Sequence, residues 1–228
     1  MNLLAIDTTH RTGGVVLTQE KSVLEAVAIE APNGFGAVIY SEIEALLERT
    51  GLTLQDIDCY AAAAGPGSFT GIRVGLSVVK ALAEVHNKTV APVSSLQALA
   101  HAGVGKYRAA VMDARRQEVY AAVYDDHLKL VVDEVVTEWE EFRASLYNRS
   151  VTFVSLNSSL FDNDEVSTSR QGVTGDENQV VITERPLTMG VAHIAQTLFE
   201  QGKTVAPEMV DANYIRRPEA ELKWKDPD

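Results

Sequence analysis

A single cysteine, Cys59, stands in 228 residues, so the chain makes no internal disulfide and carries no Cys-based metal clip. The histidines offer a metal no better footing. His10, His86, His101, His127 and His193 are scattered, with no HxxxH or HxxE spacing to set two ligands on one helical face, and no metal is expected. Basic residues are scarce as well: 20 Lys and Arg against 32 Asp and Glu give a formal charge of −12. Direct, sequence-independent binding to nucleic acid depends on neutralising phosphates and is therefore disfavoured. No apolar run reaches membrane-spanning length, and MNLLAIDTTH, broken by Asp7 and without a basic flank, reads as a buried first strand rather than a leader or an anchor. A reducing cytoplasm is the expected setting. No GxSxG surrounds any serine, so no nucleophile elbow is present.

What is present is enough apolar chain to build a core: 46% of residues are hydrophobic and 23% charged, near the globular average. Leu3 to Ile6, Val15 to Leu17 and Val23 to Ile29 are β-rich runs joined by turn chemistry, which predicts an antiparallel meander. Ile39, Ile43, Leu46 and Leu47 recur at helical spacing, with Gly51 as the stop. A buried strand from Cys59 to Ala64 then enters a Gly-rich turn, after which Thr70 is the expected N-cap of a helix. A strand near Val90 to Val93 and a helix opened by Ser94 or Ser95 complete the first half. The second half restarts the theme with strands at Ala109 to Met112, Val119 to Tyr124 and Leu128 to Val136, then a helix from Trp139 to Leu146. The reading is α/β with two duplicated lobes, residues 1–104 and 105–206, and a tail over 207–228. A strand at Val180 to Ile182 and a helix over 190–200 are expected to close the second lobe. Segment 160–178, polar and without apolar periodicity, reads as a surface insertion, and the tail is expected to drape over the surface and fray.

In each half an Asp directly follows an apolar strand at the mouth of a hairpin turn: Asp7, before Thr8 and Thr9, and Asp113, before Arg115. Two readings stay open. Such residues stabilise turns through side-chain to backbone hydrogen bonds; alternatively, a pair of them facing each other across two lobes could hold a metal-bound nucleotide. Gly65, Pro66, Gly67, Ser68 and Thr70 form a tight strand-to-helix turn, but Ile72-Arg73 follows Gly71 where a P-loop needs Lys-Ser/Thr. It is no P-loop. On the helix after it, Gly71 and Gly75 share one face and strip it of bulk, with Ile72, Leu76, Val79 and Leu82 adding apolar surface. That face suits close packing, either inside the lobe or against another molecule.

Three antiparallel strands followed by β-α units, repeated, resemble the actin, sugar-kinase and heat-shock ATPase (ASKHA) architecture, in which two lobes face each other across a nucleotide cleft. More specifically, Leu3-Leu4-Ala5-Ile6-Asp7-Thr8-Thr9, Gly65-Pro-Gly-Ser-Phe-Thr-Gly-Ile-Arg-Val-Gly75, Val93-Ser94-Ser95-Leu96, Asp113-Ala114-Arg115, Glu118-Val119-Tyr120 and Tyr214-Ile215-Arg216-Arg217 resemble the TsaB (YeaZ) family of tRNA threonylcarbamoyladenosine biosynthesis proteins. The resemblance implies an actin-like fold without catalysis of its own. It implies a partnership with TsaD, a related chain that transfers a threonylcarbamoyl group to an adenosine of tRNAs reading codons that begin with adenine, and with the ATPase TsaE. It further implies tRNA contact only through that complex and self-association when the chain is alone. No cofactor is firmly implied; a nucleotide at the cleft or at the partner interface is compatible with it. The partner surface is expected on the first-lobe helices, with Gly71, Ile72, Gly75, Leu76, Val79 and Leu82 as contact residues, and Asp7, Thr8, Thr9, Asp113 and Arg115 as a vestigial nucleotide cleft. The alternative is a nucleotide-dependent enzyme of the same superfamily working in that cleft. Three features depart from the family pattern: Phe35-Gly36 where a His-Ser pair is common, Arg116-Gln117 where a glycine often precedes Glu-Val-Tyr, and the length of segment 160–178.

Overall fold

The computed structural model describes residues 1–147, 149–161, 168–169, 180–183 and 186–216. Its first sheet begins with the expected meander: β1 (Asn2–Asp7), β2 (Thr12–Gln19) and β3 (Ser22–Glu30) pair antiparallel, with Asp7 opposite Gly14. On the other edge of β1, β4 (Cys59–Ala63) and β5 (Thr89–Val93) add in parallel, giving the order β3-β2-β1-β4-β5. The second sheet repeats this scheme. β6 (Tyr107–Arg115), β7 (Glu118–Asp125) and β8 (Leu130–Glu138) form the meander, and β9 (Thr152–Ser155), β10 (Thr168–Ser169) and β11 (Val180–Ile182) extend it in parallel, in the order β10-β11-β9-β6-β7-β8.

The unbroken apolar run in β1 is explained by burial on both faces. Leu3 and Ala5 point into the core between the sheets, whereas Leu4 and Ile6 point into the outer core, as the two-residue side-chain period requires. Over the outer face of the first sheet lie α1 (Ile39–Thr50) and α2 (Phe69–His86), which bring in Ile39, Ile43, Leu46, Ile72, Leu76 and Val79. Gly51 ends α1 in the left-handed conformation, φ 69°, and returns its N–H to the carbonyls of Leu47 and Glu48. On the outer face of the second sheet, α4 (Trp139–Ser145) sets Phe142 into a core that also holds Trp139, Phe153 and Phe161.

Between the sheets sit α3 (Ser95–Ala100), for which Ser94, of the two serines offered by the sequence, is the N-cap, and α5 (Thr188–Glu200). Here packing crosses the division of the sequence into residues 1–104 and 105–206. α5 lies against β1, β2, β4 and β5, so a helix from the second half of the sequence covers the inner face of the first sheet. The cause is its apolar stripe, Val191, Ala192, Ile194 and Ala195, together with Gly190, where an added Cβ would meet the Ala98 carbonyl oxygen at 2.3 Å. That closeness seats α5 on α3.

The start of the tail lies along the first lobe. Val205 pairs with Val90, Val210 is buried in the outer core, and Asn213 N–H donates to the Ala64 carbonyl at 2.7 Å, so residues 205–213 are tied down. Residues 217–228, Arg217 among them, lie outside the described residues, as do 162–167 and 170–178 of the polar segment. No helix among the described residues is long and apolar enough to cross a membrane.

Candidate functional site: the hairpin cleft and the second helix

The two hairpin mouths fold alike. Asp7 Oδ1 accepts from Thr9 N–H at 2.9 Å, and Asp113 Oδ1 accepts from Arg115 N–H at 2.7 Å, so each aspartate closes a turn two residues ahead. Between the mouths lies a cleft of about 710 Å³. Thr8, Thr9, Asp113 and Arg115 line it, with Ser68 and Thr70 from the Gly-rich turn and with His10, Arg11, Phe35 and Tyr120. Asp7 is not among its lining residues. Its side chain is 1% exposed, and both oxygens are engaged: Oδ1 also accepts from Thr9 Oγ1 at 2.6 Å, and Oδ2 from Leu187 N–H at 3.2 Å. Leu187 stands just ahead of α5, so Asp7 anchors the start of a helix 180 residues away in sequence. Asp113 Oδ2 stands 3.3 Å from the Arg115 guanidinium. Asp7 is thus closed off from the cleft, while Asp113 remains exposed and lines it, and among the described residues no group of three or more His, Cys, Asp or Glu side chains is placed to hold a metal ion.

The Gly-rich turn is built by local necessity. Gly65 adopts φ 108°, and its carbonyl accepts from Ser95 N–H at 2.8 Å, joining the turn to α3. Ser68, and not Thr70, is the N-cap of α2: its Oγ accepts from Gly71 N–H at 3.3 Å, while Thr70 is the second residue of the helix and exposed. The glycine face of α2 is turned inward. A Cβ on Gly71 would stand 1.9 Å from the Thr8 carbonyl oxygen, and one on Gly75 would stand 2.6 Å from Thr8 Oγ1, which itself donates to the Gly71 carbonyl. Gly71, Ile72, Gly75, Leu76 and Val79 are buried and Leu82 is half-buried, all against the lobe's own sheet. The expectation of an outward, partner-facing stripe at these six positions is therefore corrected: the missing bulk makes room for the end of β1. What α2 presents outward is Thr70, Arg73, Ser77, Ala81, Glu84 and Val85, the last 77% exposed. At its first turn Phe69 stacks on Tyr214 with ring centroids 5.5 Å apart, and the Arg73 guanidinium lies 3.9 Å over the Phe69 ring.

Sequence reasoning missed three features. Glu134 on β8 accepts from Ser94 Oγ, from Tyr124 OH at 2.5 Å and from Asn213 Nδ2 at 2.6 Å, pinning the second meander to the cap of α3 and to the tail. Burial and the Glu134 charge push the Tyr124 phenol well above its ordinary value. Arg216 donates to the Ala114 carbonyl at 2.9 Å and pairs with Glu118, carrying the tail across to the second hairpin. His10 Nδ1 lies 2.8 Å from Thr9 Oγ1, and burial lowers its pKa while the Asp7 charge opposes that shift. Phe35, at the departure from the family pattern, is buried over Gly13; a Cβ there would come within 2.6 Å of the ring. Cys59 is an inert core thiol, its pKa pushed up to about 12 by burial.

The model of the TsaD family, tRNA N6-adenosine threonylcarbamoyltransferase, matches residues 31–169. The chain is 28% identical to a tRNA threonylcarbamoyladenosine biosynthesis protein TsaB of Bacillus subtilis over 98% of both chains. Among solved structures it resembles YeaZ from Pseudomonas aeruginosa, with a TM-score of 0.78 and 24% identity, covering 93% of this chain and 99% of that one. It also resembles, with a TM-score of 0.53 and 10% identity over the full length of both chains, an activator of a 2-hydroxyisocaproyl-CoA dehydratase from Clostridium difficile solved with bound ADPNP, a likeness of fold alone. The two-lobed actin-like architecture expected from the repeat is the one observed. From its end-to-end match and its repeated sheets, the chain belongs to the TsaD family and, within it, to the TsaB (YeaZ) proteins.

Proposed function

We propose that this chain serves threonylcarbamoyladenosine formation on tRNA as a non-catalytic companion subunit that docks a TsaD-like catalytic homologue. The observation that carries this reading is the state of the two hairpin aspartates. An actin-like enzyme needs a carboxylate from each lobe free to hold a metal-bound nucleotide, and here Asp7 is buried and consumed by Thr9 and Leu187, which leaves Asp113 without a counterpart across the cleft. With a charge of −12, the chain meets tRNA through its partner rather than directly. The docking surface is the outward face of α2, where Ser77 and Ala81 keep the backbone approachable and Val85 offers exposed apolar surface. The same face serves self-association when the chain is alone, and a TsaE-like ATPase joins the assembly in the cytoplasm.

The test is reconstitution with a TsaD-like homologue and a TsaE-like ATPase from one organism. Omitting this chain abolishes threonylcarbamoyl transfer to tRNA, while Asp113→Ala in this chain leaves the rate unchanged. A rate that collapses with Asp113→Ala, in a variant that folds normally, contradicts the companion reading and favours a working nucleotide cleft.

A further inference from the structure

We propose that the cleft between the hairpin mouths is a metal-free binding site for a small organic anion bearing a hydroxyl, and that His10 Nε2 is its fixed hydrogen-bond acceptor. The inference does not depend on the docking reading. Its first support is the proton arrangement around Asp7. Both Asp7 oxygens receive backbone N–H groups, from Thr9 at 2.9 Å and Leu187 at 3.2 Å, so the carboxylate acts as an acceptor on each oxygen. The Thr9 hydroxyl, 2.6 Å from Oδ1, therefore gives its one proton to Asp7. Its oxygen is left to accept from the His10 ring nitrogen 2.8 Å away, which places a proton on Nδ1. Burial keeps the ring neutral by lowering its pKa, so Nε2 carries a bare lone pair. Among the described residues nothing hydrogen-bonds Nε2, and His10 lines the cleft. The relay from Asp7 through Thr9 to His10 thus sets the tautomer, as a carboxylate behind a histidine does in metal and catalytic sites.

The second support is charge. In a chain carrying −12 overall, the cleft is lined by Arg11 from the first hairpin and Arg115 from the second, against the single carboxylate of Asp113. Among the described residues no carboxylate pairs with Arg11. Arg115 is offset by Asp113 3.3 Å away, so a ligand that suits both features has an O–H to donate to Nε2 and a negative group for Arg11. About 710 Å³ is ample for a sugar phosphate or a nucleotide, and Tyr120 supplies a ring against which a base or sugar can rest. Because Asp7 is enclosed and Asp113 is the one carboxylate among the cleft's lining residues, no pair of carboxylates stands ready to hold a divalent cation against the anion.

The experiment uses the full chain in EDTA at pH 7.5. Long-range proton–nitrogen NMR reads the His10 tautomer, and calorimetry titrates ribose 5-phosphate, adenosine monophosphate and L-lactate, with inorganic phosphate and ribose as controls. The expected result is an Nδ1–H, Nε2-bare ring and at least one hydroxylated anion that binds about tenfold or more tighter than phosphate or ribose. The three anions separate a sugar phosphate, a nucleotide and a hydroxy acid as the source of that chemistry. His10→Phe, which keeps a ring but no acceptor, abolishes binding while its thermal unfolding stays within a few degrees of wild type. Thr9→Val, which cuts the relay and leaves His10 in place, weakens binding and mixes the tautomers. An Nε2–H tautomer, no saturable binding of any of the three anions, binding that requires magnesium, or His10→Phe binding as wild type would each overturn the proposal.

Discussion

The two hairpin mouths are copies that have been put to different uses. Each closes with an aspartate accepting from the backbone N–H two residues ahead. The first copy is enclosed: Asp7 is buried, Thr8 fits under the glycines of α2, and the start of α5 hangs on Asp7 Oδ2. The second copy stays in solvent, with Asp113 engaged among the described residues by Arg115 and the turn passing through Arg115, Arg116 and Gln117 at φ 66°, 57° and 66°. A turn motif therefore fixes local geometry in both halves. What packs against it decides whether the same residue is structural keystone or surface.

The sharpest way to break the comparison is to remove both carboxylates. Asp7→Ala strands two backbone N–H groups and a hydroxyl in a buried site and is expected to cost about 3 kcal/mol or more, whereas Asp113→Ala stays within about 0.5 kcal/mol; urea midpoints measured on both variants decide it. Equal losses would mean that the two mouths are energetically alike. Gly71→Ala, which drives a methyl into the Thr8 carbonyl, is expected to cost about 2–3 kcal/mol by the same measurement. Ser77→Ala, on the opposite face of α2, should be close to neutral. At the second mouth the effect has the other sign. Gln117→Gly relieves one of three left-handed non-glycine residues and should raise stability by about 0.5–1 kcal/mol, while the same exchange at Thr9 should lower it.

The smallest effect is on pH dependence. His10 has its folded-state pKa lowered below 6.5 by burial, so the unfolded chain takes up a proton first. Its contribution to stability is constant above that value and declines as pH falls below it. Unfolding midpoints across mildly acidic pH should therefore fall more steeply for wild type than for His10→Phe. Part of the slope persists in the variant, because burial and the neighbouring His193 also lower the pKa of His101.

Much of the fold was legible. Apolar runs, turn residues and the repeat located both meanders, Gly51 ended α1, and Ser94 capped α3, because each signal is local. The errors share one physical origin. Helical spacing says that Gly71, Ile72, Gly75, Leu76 and Val79 share a face of α2, but not whether that face turns toward the sheet or toward solvent. Dense glycine suits close packing inside the lobe or against another molecule alike, and the occupant is Thr8 at the end of a strand 63 residues earlier. Sequence order likewise does not say which sheet α5 covers: it follows the second lobe in the chain, and its stripe completes the first lobe's inner core. Of the candidate cleft residues, the sequence located four of the lining positions but not the enclosure of Asp7, whose partner Leu187 is remote in the chain. Glu134 left no trace, since its partners Tyr124, Ser94 and Asn213 lie 10, 40 and 79 residues away and only the fold brings them together.

The most direct test of the companion-subunit account is the affinity of an Ala81→Glu variant for a TsaD-like homologue, measured by calorimetry beside wild type. Ala81 is exposed on α2, so the variant should unfold at the wild-type urea midpoint yet bind the homologue at least about a hundredfold more weakly, because a long side chain beside Glu84 blocks the close approach of the partner and adds a like charge. Full-strength binding by a normally folded variant would contradict the docking face and the account that rests on it.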